Sequence, residues 1–283
     1  MTARFAIYTA PGIGPAGAGT AGAGTAGVGS LDGELADAGP AVAGPALDGV
    51  SAALREKAER WLGRSVTGDT VTGDVPAGWT RQAVDAITVD ARRYGFHATL
   101  KAPFRLAEGR TPEELDAALA RFAASRPGVV VPQLSLARLS GFFALVPGAA
   151  AAELHALADE VVTSFDAFRA PATDAELARR NPAALTPRQR ELLKAWGYPY
   201  VLDEFRFHMT LTDRIPHERR PEVERTLHGW FGALLGVTLP VAALALFTEA
   251  TPGAPFTLHA VYPLQPIPAS LRAAGQPDSE GAR

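Results

Sequence analysis

Two short stretches of this chain are near copies of each other, and each places a histidine two residues before a threonine. Phe96-His97-Ala98-Thr99-Leu100 and Phe207-His208-Met209-Thr210-Leu211 agree at four of five positions. A chance repeat of that quality is on the order of 10⁻³ for residue frequencies like these. Read as strands, each sends the Phe, the middle residue and the Leu into a core, while His and Thr share the other face. By the same alternation Lys101 joins His97 and Thr99, and Arg206 and Thr212 join His208 and Thr210. Two imidazoles, hydroxyls and cations on one cleft suit a phosphodiester. A neutral His takes a proton from the attacking hydroxyl or water, and a protonated His donates to the leaving oxygen. The hydroxyls and cations hold the non-bridging oxygens as negative charge builds. His97, Thr99, His208 and Thr210 are therefore the catalytic candidates, and Lys101 and Arg206 the substrate-binding ones. The design calls for no metal and no cofactor.

The elements around these motifs recur in the same order. Before the first motif, Leu54, Ala58, Trp61 and Leu62 mark one helix face. After it, Thr111-Pro112-Glu113-Glu114 is a helix start, with Thr as N-cap, Pro at the first position and Glu three residues after the cap. Val129 to Leu136 and Phe142 to Val146 then read as strands joined at Ser140-Gly141. Leu154, Ala158, Val161, Val162 and Phe165 mark a helix, and Phe205 to Thr212 alternates as a strand. Pro221 opens a further helix, and Val241 to Phe247 and Phe256 to Tyr262 are strands around Pro252-Gly253. From His97 to Gly141 is 44 positions and from His208 to Gly253 is 45, which points to an internal duplication. The predicted fold is α+β and bilobal: two mainly antiparallel sheets with flanking helices, related by a pseudo-twofold axis, over residues 4–264. Two inserts interrupt it. Residues 11–47, rich in Ala, Gly and Pro, contain Ala16-Gly17-Ala18-Gly19-Thr20 repeated as Ala21 to Thr25, and have almost nothing apolar to offset their ordering entropy. Residues 170–200 carry their own helix start at Thr186-Pro187 and read as a helical cap. Residues 265–283 read as a disordered tail.

At these motifs the chain resembles the 2H phosphoesterase superfamily, defined by two His-x-Thr/Ser-hydrophobic motifs on duplicated lobes. The longer string Arg92-Arg93-Tyr94-Gly95-Phe96-His97-Ala98-Thr99-Leu100-Lys101 resembles one branch of it, the DUF1045 family, associated with phosphonate-utilisation operons. The resemblance implies a metal-independent phosphodiesterase or cyclic phosphodiesterase acting on a small ribose phosphate ester. RNA-end processing of 2′-5′ linkages, or phosphate-ester binding without catalysis, are the alternatives it leaves.

Composition narrows the partners. Charged residues are 20% and hydrophobic residues 47%, with a net charge of -3 and no Cys. Nucleic acid and anionic membrane surfaces need a cationic surplus, so a small phosphorylated substrate is favoured. No apolar run approaches the roughly 18 residues of a membrane span, and the short stretch Phe5 to Ala10 is too brief for a signal-peptide core. A reducing, cytoplasmic setting is the expectation. Zinc at His97 and His208 is the next alternative, and it would need a third and usually a fourth ligand. His155, His217, His228 and His259 lack a recurring partner and read as surface or core residues. Tyr94 has the wrong parity for the cleft unless the chain turns at Gly95, so it reads as packing. Gly12-Ile13-Gly14-Pro15-Ala16-Gly17 fits G-x-G-x-x-G after a strand, but more Gly, Ala and Thr follow where a helix must open, so there is no seat for a pyrophosphate.

Overall fold

A computed structural model of the chain describes residues 3–13 and 45–273. In chain order it runs β1 (Arg4–Thr9), α1 (Pro45–Leu62), α2 (Arg81–Asp85), α3 (Val89–Tyr94), β2 (Ala98–Phe104), α4 (Pro112–Ala124) and β3 (Val129–Val131). Then come β4 (Ser135–Leu139), β5 (Phe142–Val146), α5 (Ala152–Ser164), α6 (Asp174–Arg179), α7 (Pro187–Trp196) and β6 (Met209–Thr210). The chain closes with α8 (Arg220–Phe231), β7 (Leu239–Val241), β8 (Ala243–Glu249), β9 (Thr257–Pro263) and α9 (Ala269–Ala273). The architecture is α+β: an antiparallel seven-stranded sheet ordered β4-β5-β6-β2-β1-β8-β9, a two-stranded sheet of β3 and β7, and flanking helices.

The sheets are not divided one per half. β6 pairs with β2 at Met209 and Ala98 and with β5 at Met209–Leu145 and Thr210–Ala144. A two-residue strand satisfies its backbone groups only by using both edges, and that joins the halves through the middle of one sheet. The strand read over Phe205 to Thr212 shrinks to these two residues because the N–H groups of Leu211 and Thr212 both turn to the Phe143 carbonyl. The strand read over Val129 to Leu136 splits for a related reason. Pro132 has no N–H and Gln133 sits at φ 48°, so β3 leaves for the small sheet.

The core follows the alternation. Phe96, Ala98 and Leu100 join Phe207, Met209 and Leu211 in one apolar cluster, with Leu54, Ala58, Trp61 and Leu62 of α1 fully buried in it. Thr111 and Glu114 form the reciprocal cap of α4, and Thr186 and Gln189 that of α7. The segment 170–200 holds α6 and α7. Residues 14–44 of the Ala/Gly-rich insertion, and 274–283 of the tail, lie outside the described residues. The edges of both segments belong to the fold. Ile13 is buried, Arg55 donates to the Gly12 carbonyl at 2.9 Å, and α1 already begins at Pro45. Gln265 exchanges backbone hydrogen bonds with Arg126 and Gly128, and Ile267 is buried, so packing extends beyond 264. Among the described residues no helix is long and apolar enough to cross a membrane.

Candidate active site

Each motif is positioned by contacts from the opposite half of the chain. Gly95, at φ 71°, turns the chain between α3 and the first motif, a conformation that L side chains rarely adopt. The buried Arg64 guanidinium holds this turn by donating to the Arg92 carbonyl at 3.1 Å and the Phe256 carbonyl at 2.6 Å. The start of α3 has no side-chain cap from Thr88. Instead the Asp213 carboxylate, just beyond the second motif, accepts the N–H groups of Asp90 and Ala91, each at 3.0 Å. That places negative charge where a helix N-terminus favours it. The second motif is pinned by Trp61, whose indole N–H donates to the Leu211 carbonyl at 2.7 Å. The buried Thr212 hydroxyl accepts from the Phe143 N–H and donates to the Asp213 carbonyl.

The pairing of Ala98 with Met209 fixes the arrangement of the four candidates. Continued one residue each way, that antiparallel register sets His97 opposite Thr210 and Thr99 opposite His208. All four share the face away from the main core, and all four are partly exposed. The two His stand on the diagonal of this square, about 7–8 Å apart at the backbone.

Both imidazoles are held alike. His97 Nδ1 lies 2.9 Å from the Gly95 carbonyl, and His208 Nδ1 lies 2.7 Å from the Arg206 carbonyl. A carbonyl only accepts, so Nδ1 carries the proton in each ring and Nε2 is left as the acceptor. The Thr99 hydroxyl stands 3.2 Å from His97 Nε2, where it donates to it. Burial lowers the His97 pKa to about 4, against the Gly95 hydrogen bond, and the charge of His208 lowers it further. Burial also lowers that of His208, again against its carbonyl partner. Near neutral pH both rings of the free protein are therefore neutral bases.

The aromatic surroundings of His97 were not legible in its motif. Tyr8 of β1 sits opposite Thr99 and stacks on the His97 ring, with centroids 3.9 Å apart and planes 23° apart. Tyr94 stacks on Phe256 at the edge of a second apolar cluster, in keeping with its reading as packing, and the turn at Gly95 also leaves its ring 6.1 Å from that of His97. Gly95 was the available signal.

The two predicted cations do not join the square. Tyr8 pairs with Thr99 but Ile7 pairs with Lys101, so a bulge skips Leu100 and breaks the two-residue alternation. Lys101 is consequently buried, donating to the Val162 carbonyl at 3.0 Å and to Asp166 at 3.2 Å. Burial lowers its pKa to about 8 against the pull of Asp166. Arg206 is exposed and lines a groove with Leu139, Val146 and His155 to which none of the four candidates contributes. Its share in the site is the backbone carbonyl. His155, His217, His228 and His259 are exposed and lie on separate elements. Among the described residues no three His, Asp or Glu side chains are grouped to hold a metal.

Comparison with known proteins places the chain in a family. Two proteins named "Ribose 1,5-bisphosphate phosphokinase PhnN" are similar to this chain. The one from Janthinobacterium sp. (strain Marseille) is 41% identical over 201 residues, covering 69% of this chain and 44% of that protein. The one from Laribacter hongkongensis (strain HLHK9) is 37% identical over 199 residues, covering 70% and 45%. The chain thus spans less than half the length of these relatives. A solved structure described as "Crystal structure of phosphoesterase" aligns over 93% of this chain and 98% of its own, with a TM-score of 0.36 and 14% identity. The model of a protein family described as "Protein of unknown function (DUF1045)" matches residues 99–257, a stretch that contains Thr99, His208 and Thr210. That match takes in more than half of the sequence, and the chain belongs to the DUF1045 family.

Proposed function

We propose that this protein is a metal-independent phosphodiesterase or cyclic phosphodiesterase of the 2H phosphoesterase type, acting on a small ribose phosphate ester in phosphonate metabolism. The observation that carries the reading is the square of His97, Thr99, His208 and Thr210 on one sheet face, with both imidazoles held in the same tautomer by the carbonyl two residues back. The repeated motif and matching element order of the two halves support their origin by duplication. The relatives' name, which concerns a ribose phosphate, supports the substrate class.

In the reaction, His97 acts as the base, because burial and the charge of His208 leave it the lower proton affinity. Its Nε2 takes a proton from water as the water oxygen bonds to phosphorus. His208 acts as the acid: protonated at Nε2, it gives that proton to the leaving sugar oxygen as the P–O bond breaks. The substrate's negative charge favours the protonated ring. The Thr99 and Thr210 hydroxyls donate to the non-bridging oxygens. We assign the kinase reaction named for the relatives to the part of them outside the match. A phosphate-cradling G-x-x-x-x-G-K-[ST] loop needs Gly before Lys, and here Lys57, Lys101 and Lys194 follow Glu56, Leu100 and Leu193. The test is a panel of cyclic and linear ribose phosphates assayed with and without EDTA. Ring opening that persists in EDTA and is lost in His97→Ala supports the reading; turnover that requires added zinc or magnesium refutes it.

A further inference from the structure

Residues of the 170–200 segment line a cavity of about 650 Å³ together with Pro103 and Phe104 at the end of β2 and with Tyr94. Six arginines line this cavity: Arg4, Arg93, Arg105, Arg169, Arg179 and Arg180. In a chain of net charge -3 that concentration is not a consequence of composition. Glu176 is the one carboxylate in the lining, and it is bound to Arg105. Behind the wall, the buried Glu249 is shared by Arg4 and Arg93, and Asp166 is shared by Arg169 and Lys101. Among the described residues Arg179 has no side-chain partner, and Arg180 has only the face of Tyr198, 4.8 Å away. Guanidinium groups gathered with too few carboxylates repel one another unless an anion is present.

The cavity also adjoins the candidate active site. Tyr94 lines it, and the Tyr94 ring lies 6.1 Å from that of His97. Pro103 lines it too, four residues past Thr99 along β2, roughly 13 Å at 3.3 Å per residue. Tyr94 thus belongs both to the lining of the cavity and to the surroundings of His97, so the two are neighbours. The planar fork of arginine matches phosphate oxygens two at a time, and the volume is in the range of small-ligand sites.

We infer that this cavity is a second phosphate site, so that the substrate is a small sugar phosphodiester carrying a further phosphate group, which Arg179 and Arg180 of the 170–200 segment clamp. The identity of the reacting group rests on the phosphodiesterase reading; the second site does not. It is tested by calorimetric binding to the full chain carrying His97→Ala and His208→Ala, which separates binding from turnover. The probes are a ribose cyclic phosphate with a 5-phosphate and the same compound without it. The phosphorylated probe should bind about tenfold tighter or more, the usual worth of charge-assisted hydrogen bonds to one phosphate. Arg179→Ala with Arg180→Ala should erase that difference, and Arg179→Lys with Arg180→Lys should restore part of it. Equal affinities for the two probes, or a difference that survives the alanine pair, would overturn the site. Wild-type turnover measured in parallel keeps the two claims apart. Arginine-dependent binding without turnover sinks the catalytic reading alone, and turnover with equal probe affinities sinks the second site alone.

Discussion

The two motifs share four of five residues, yet the structure gives them unequal surroundings. His97 lies under the ring of Tyr8, has Thr99 at its Nε2 and heads a seven-residue strand. His208 meets Phe142 at a ring distance of 5.8 Å, keeps only its carbonyl partner among the hydrogen bonds of the described residues, and heads a two-residue strand. The same motif in a drier and in a wetter setting yields two imidazoles of different proton affinity, which is what an acid–base pair requires. In the proposed reaction the repeated residues supply the chemistry, and the neighbours that are not repeated divide it.

Breaking either side should have the largest effect. His97→Ala or His208→Ala should each lower kcat by roughly 10²–10⁴, the usual worth of a positioned acid or base. The double variant should lose far less than the product of the two, because the pair acts as a unit. Multiplicative losses in steady-state kinetics would show two independent contributions instead. Thr99→Val and Thr210→Val should cost about tenfold each, the worth of one hydrogen bond to the developing charge. The Thr99 change should also alter the titration of His97 by NMR, because among the described residues only that hydroxyl hydrogen-bonds to an imidazole. Identical titrations in the two valine variants would remove the asymmetry between the motifs.

Lys101→Met sharpens the comparison from outside the square. Its loss should appear in thermal unfolding, at ~1–3 kcal/mol for leaving Asp166 and the Val162 carbonyl short of a donor, rather than in KM. A tenfold rise in KM with unchanged stability would return Lys101 to the cleft.

Much of this was readable from residue types at fixed spacing. The alternation Phe96, Ala98, Leu100 and Phe207, Met209, Leu211 located the core face, and Thr111 and Glu114 located a helix start, because both patterns are local. What failed depended on partners far away in sequence. The bulge that displaces Lys101 exists only in the pairing of β2 with β1, and Tyr8 reaches His97 only because β1 lies beside β2. The merging of both halves into one sheet depends on where the short β6 finds its hydrogen bonds. The approach of Tyr94 to His97 depends on the positive φ of a single glycine.

The most direct test is the pH dependence of kcat/KM for ring opening of a cyclic ribose phosphate in EDTA. The free enzyme must hold one imidazole neutral and the other protonated. Lowered pKa values mean that protons leave both rings below the ordinary 6.5, with His97 releasing its own near 4. Activity should therefore fall below about pH 4 as the base is protonated, and fall again toward neutrality as the acid is lost. The expected profile is a bell with its maximum between those limits, its two apparent pKa values belonging to the coupled pair. A rate that climbs steadily through neutral to alkaline pH would contradict it.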